Sequence, residues 1–139
     1  MYSRLLRVIL GLAAVVWGIS LVAVLLPWPV VKSGLVALGA QPIPDDPMLV
    51  YWMRMACGAF FMIGVLFGAV LFNFKKYEVL IPLLAYLSIA EGLLLLLSGL
   101  WLGLPPFPFL GDSLFGLGVG LGLLVVYPRV RREEANRSG

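Results

Sequence analysis

Glu91 is the only charged side chain in residues 79–103, which read VLIPLLAYLSIAEGLLLLLSGLWLG. A carboxylate amid leucines costs several kcal/mol unless it is protonated, paired or hydrated, so proton, ion or ligand chemistry would centre here. On a helical wheel Ser88 and Ser98 lie within about 80° of one another on the Glu91 side, giving a polar stripe. Arg54 is the only basic residue well inside another apolar run, and Asp112 opens a fourth. An Arg54–Glu91 ion pair is therefore the first pairing to consider.

Depth argues against a simple version of that pair. By helix rise, Arg54 lies roughly 10 Å from the Pro47 end of its run and Glu91 roughly 18 Å from the Gly103 end of its own. Side chains lean toward the N-terminus of their own helix, so Arg54 leans outward and Glu91 inward. Without a vertical offset between the helices, Arg54 would meet Asp112, Asp45 or Asp46. Glu91 would then be protonated, or bonded to serines and water. Three roles for Glu91 follow: a polar clasp that sets helix register, a proton, ion or ligand site, and a contact with a partner's helix.

Other chemistry is poorly provided for. With no histidine and the single cysteine Cys57, the chain has no His-based acid–base pair, internal disulfide or cysteine metal site. Cys57 reads as a small packing residue. Gly116, Gly118, Gly120 and Gly122 alternate inside an apolar helix with no preceding strand, so they are no nucleotide loop. We assign no catalytic residue, no metal site and no cofactor; the chain reads as a non-enzyme, with a membrane enzyme built on Arg54, Glu91 and Asp112 as the open alternative.

The elements that must position these residues are membrane spans. Hydrophobic residues make up 62% of the 139-residue chain and charged residues 12%, about half the charge of an ordinary soluble domain. The apolar residues come in runs at about residues 5–26, 48–72, 79–103 and 111–127. The first is longer than a signal-peptide core and lacks a small-x-small cleavage site, so it reads as an uncleaved helix. Gly11, Ala14 and Gly18 share one face of it. Residues 27–47 form an outer loop whose segment 30–39 suits a short interfacial helix or an irregular packed loop. Arg54, Cys57, Gly58, Phe61, Gly64 and Gly68 share a face of the second run, and Gly64/Gly68 is a GxxxG pair. Pro82 falls in the first turns of the third run, where a missing N–H is tolerated. The prolines of residues 104–110 predict a non-helical loop, and the polar tail 128–139 predicts a frayed end. Gly116/Gly120 and Gly118/Gly122 are further GxxxG pairs on nearly opposite faces, so the fourth helix can meet neighbours on two sides.

The expected fold is an all-α membrane protein, a single domain of four transmembrane helices in a bundle. Arg4, Arg7, Lys75, Lys76, Arg129, Arg131, Arg132 and Arg137 fall on one side of four spans, against Lys32, Asp45, Asp46 and Asp112 on the other. The positive-inside rule then makes both termini cytoplasmic, in an inner or plasma membrane. Trp28, Trp52 and Trp101 mark the outer interface. The basic clusters are topology signals, not a nucleic-acid footprint.

With Arg4 and Arg7 opening a Gly-bearing first helix, a longer first outer loop and Gly-rich later helices, the layout resembles the DoxX-like group of small four-helix membrane proteins. The resemblance implies an accessory subunit of a membrane system. The expected function is accordingly a non-catalytic accessory or assembly subunit, surrounded by membrane lipids and joined through glycine faces to a protein partner or a second copy. The alternatives are a proton-coupled carrier using Glu91, and a quinone- or lipid-binding redox subunit built on Arg54, Glu91 and Asp112. A water-accessible cavity reaching Glu91 favours the carrier, and a dry, filled interior favours the accessory subunit.

Overall fold

Two glycines set the corners of the chain. A computed structural model describes residues 2–138; Met1 and Gly139, and the side chains of Phe107, Pro108, Glu134, Arg137 and Ser138, lie outside the described residues. Helix α1 (Tyr2–Gly18) continues after a break at Ile19 as α2 (Ser20–Leu25), with the Ser20 hydroxyl donating to the Trp17 carbonyl. Segment 30–39 falls largely in a helix, α3 (Trp28–Ala37), with Pro29 in its first turn. Its C-terminus is closed by Gly39 at φ 97°, with Ala40 N–H bonded to Leu35 O and Gly39 N–H to Val36 O. This left-handed cap suits glycine, which carries no Cβ. Helix α4 (Pro47–Phe72) starts where the Asp46 carboxylate accepts from Met48 N–H at 2.8 Å, with Pro47 in its first turn.

After Asn73 a short helix α5 (Phe74–Tyr77) and a 3₁₀ turn (Glu78–Leu80) lead into α6 (Ile81–Trp101), with Pro82 in the opening turn. Gly103, at φ 61°, closes α6 as Gly39 closes α3, with Leu104 N–H bonded to Gly99 O. Helix α7 (Pro106–Ser138) completes the chain. Among the described residues four helical segments are long and apolar enough to cross a membrane: Tyr2–Leu25, Pro47–Phe72, Phe74–Trp101 and Phe109–Glu133.

Two sequence expectations are corrected. Residues 104–110 are not a loop throughout, because α7 begins at Pro106. Prolines fit a first turn, whose N–H groups have no helical acceptor anyway. Nor does the fourth helix stop at residue 127. It runs through Pro128 into the polar tail, where Val130 is buried and Arg129 lies over the Tyr2 ring at 5.3 Å. That packing holds a segment whose composition alone argues for fraying.

The helices pack as two pairs, α1 with α4 and α6 with α7, joined across α1 and α7, while α4 and α6 barely touch. The core follows this seam: Leu6, Leu10, Ala13 and Trp17 from α1, Phe67 and Val70 from α4, Ile81, Leu84 and Ala85 from α6, and Val119, Leu123, Val126 and Val130 from α7. The contact of Tyr2 with Arg129 puts both described ends of the chain at the same end of the helices. At the opposite end, α3 is tied to the stretch before α4 by Lys32 and Trp28, which donate to Asp45 at 2.9 and 3.3 Å.

Candidate functional site

Glycine spacing sets where α6 meets α7. A Cβ built at Gly92 would lie 2.8 Å from Leu117 N and Ser113 O, and one at Gly116 would lie 3.1 Å from Ser88 O. One at Gly120 would lie 2.6 Å from Ala85 O. Backbone thus meets backbone, and Glu91, next to Gly92, is held half-buried at the edge of this seam. The Gly64 Cβ position lies 2.5 Å from Gly18 N and 2.8 Å from Gly18 Cα, which brings α4 onto the Gly11–Ala14–Gly18 side of α1.

Close contact along both pairs leaves a gap between them. A cavity of about 520 Å³ lies there, lined by Trp17 and Ser20 from the first span, Phe60 from α4, Glu91 and Leu95 from α6, and Asp112 and Phe115 from α7. Trp17 anchors its wall, packing on Phe67 at 5.0 Å and edge-on to Phe115 at 5.3 Å. Glu91 is ten residues from Trp101, about 15 Å from that end of the helix by rise. Asp112 is exposed and lines the same cavity as Glu91. Among the described residues no lysine or arginine lines the cavity.

The sequence-predicted polar residues are distributed as follows. Glu91 and Asp112 share the cavity. Ser88 is buried but donates to its own helix at Leu84 O, 2.8 Å, as a buried serine does when no partner helix offers an acceptor. Ser98 is half-buried and does not line the cavity. The Ser88–Glu91–Ser98 stripe is therefore not a hydrogen-bonded unit. Arg54 is exposed, and among the described residues it forms no ion pair with Glu91, Asp112, Asp45 or Asp46. Asp45 takes Lys32 instead, and Asp46 is used as the helix cap. The hydrogen bond from Lys32, then its charge, hold the Asp45 carboxyl below the usual carboxylate range.

The packing glycines also divide. Gly64, Gly116 and Gly120 meet backbone of a neighbouring helix, and Gly122 faces Ile9 of α1 at 3.1 Å. Gly68 and Gly118 have no atom within 4 Å of a Cβ position. Sequence reasoning missed Trp17, Phe60 and Phe115 as cavity walls, because aromatic residues in apolar runs carry no signal of which gap they face. Among the described residues no group of three potential metal-ligating side chains occurs. Compared with protein-family models, curated proteins and solved structures, the chain matches none.

Proposed function

We propose that this is a small membrane carrier whose ligand occupies the Glu91 cavity, rather than a subunit that only braces a larger complex. One observation carries the reading: a cavity of about 520 Å³ in the gap between the helix pairs has Glu91 on its wall. A carboxylate in that position is satisfied by a proton, by water or by a positively charged group. Exchange between a proton and a ligand at one carboxylate couples the two by mass action. Its neighbours are Asp112 from α7, Trp17 and Ser20 from the first span and Phe60 from α4, and none of them supplies a positive charge.

The accompanying orientation puts Arg4, Arg7, Lys75, Lys76, Arg129, Arg131 and Arg132 on the cytoplasmic side of an inner or plasma membrane. The cavity then lies toward the outer face. The accessory-subunit reading, with its DoxX-like resemblance, keeps one observation in its favour. Gly68 and Gly118 present open positions that a partner's helix can approach.

Thiol labelling separates the two. In a Cys57→Ala background, a cysteine at Leu95, on the cavity wall, is expected to react with a small charged reagent added from water. One at Leu94, 63% exposed on the outer surface of α6, is expected to stay shielded by lipid. A Leu95 cysteine that resists labelling would mean a dry interior, and the accessory reading would replace the carrier.

A further inference from the structure

We infer that the Glu91 cavity selects an organic cation, a substituted ammonium group carrying an apolar or aromatic body. The inference rests on the carrier reading and names the ligand class of that same site.

Charge comes first. Among the described residues the charged side chains on the cavity wall, Glu91 and Asp112, are both acids. Arg54, the nearest basic candidate by sequence, is exposed and unpaired among the described residues. The Ser20 hydroxyl is engaged by the Trp17 carbonyl. An anionic ligand would face two acidic side chains with no base to offset them, and a neutral one would leave those acids without a counter-charge. A cation supplies that counter-charge.

The walls decide which kind of cation. Phe60 and Phe115 supply half-buried aromatic surface, Trp17 backs the wall with its ring packed on Phe67 and Phe115, and Leu95 adds an aliphatic side. Aromatic faces attract ammonium groups, tryptophan most strongly, and quaternary ammonium ligands are commonly held in this way. A bare metal ion needs several oxygen ligands at short range. Two carboxylates against aromatic rings are a poor cage for one, and among the described residues no third acidic, cysteine or histidine side chain completes a cluster. The volume of about 520 Å³ falls in the range of small-molecule pockets and exceeds what a single ion fills.

The test is calorimetric titration of the purified full chain, in nanodiscs of zwitterionic phosphatidylcholine, with benzyltrimethylammonium at neutral pH. Saturable binding is expected, and neither the neutral isostere neopentylbenzene nor sodium should compete for it. Asp112→Asn and Glu91→Gln should each weaken it at least about tenfold, equivalent to about 1.4 kcal/mol. Asp112 is exposed, so its variant keeps the test decisive if Glu91→Gln fails to fold. Equal competition by neopentylbenzene, competition by sodium, or unchanged affinity in Asp112→Asn would each overturn the inference. Absent cation binding with a labelled Leu95 cysteine would overturn the ligand class and leave the carrier reading standing. An unlabelled Leu95 cysteine would remove both.

Discussion

Gly64→Ala and Gly68→Ala, one helical turn apart on α4, are expected to change stability in opposite directions. At Gly64 the new methyl would stand 2.5 Å from Gly18 N, 2.8 Å from Gly18 Cα and 3.0 Å from Ala14 O. All three are backbone atoms, so no side chain can rotate away. Relief requires α4 to move from α1 by about 1 Å, since nonbonded carbon contacts settle near 3.5–4.0 Å. Overpacking of this kind costs about 1–3 kcal/mol, opposed by about 1 kcal/mol of improved helix propensity. Because the clash is with backbone, the upper part of that range applies, and the net loss is about 1–2 kcal/mol. Moving α4 also loosens the contact of Phe67 with Trp17, now at 5.0 Å. At Gly68 nothing lies within 4 Å, so the propensity gain of up to about 1 kcal/mol stands alone. The assay is thermal unfolding of both variants in one mild detergent, followed by circular dichroism and by size-exclusion recovery. A Gly64→Ala protein that melts at or above the wild-type temperature would refute the α1–α4 crossing described here. A Gly68→Ala protein that melts well below it would mean that a partner's helix occupies that face.

Glu91→Gln is expected to fold with wild-type expression and melting temperature, because Glu91 has no ion-pair partner among the described residues and glutamine keeps its shape. Arg54→Gln should likewise be neutral and the double variant additive; rescue of a damaged Glu91→Gln by Arg54→Gln would establish the ion pair that the structure lacks. For Asp45, whose carboxyl is held low by Lys32, the pair's contribution is complete above the ordinary carboxylate range and fades as pH falls through the lowered pKa. NMR titration should place the Asp45 midpoint below that of an unpaired aspartate, and Lys32→Gln should raise it; an unmoved midpoint would remove the pair. In intact cells, and again without Cys57, a cysteine at Asp46 should be labelled from outside, whereas one at Lys76 or Asn136 should not. External labelling at Asn136 would overturn the proposed orientation.

Much of the architecture was legible because the bilayer is a demanding solvent. Runs of about 20 apolar residues have few other uses, and those starting near residues 5, 48, 79 and 111 correspond to the four long helices. Pro82 and Pro47 mark helix starts for a local reason, the missing N–H, which needs no knowledge of neighbours. The same local rule, applied too strictly, misread residues 104–110: prolines that end a helix when interior are compatible with its first turn. The polar tail misled for a different reason. Its helix is held by the buried Val130 and by Arg129 over the Tyr2 ring, the latter a contact between residues more than 120 positions apart.

The glycines and charges divide along the same line. Composition and periodicity determined that four helices are long and apolar enough to cross a membrane, that small residues line some faces, and that Glu91 and Asp112 are unusual where they stand. Spacing could not say that Gly64 would touch backbone and Gly68 nothing, because a one-turn difference along α4 matters only relative to where α1 crosses it. Nor could it separate Arg54 from Glu91, since helix order in space is set by which faces bury most, not by which charges are opposite. Tertiary packing alone decided that α1 and α7 are central and that α4 and α6 stand apart. That arrangement opens the gap in which Trp17, Glu91 and the Asp112–Phe115 turn meet, three stretches of chain that no local pattern in the sequence connects.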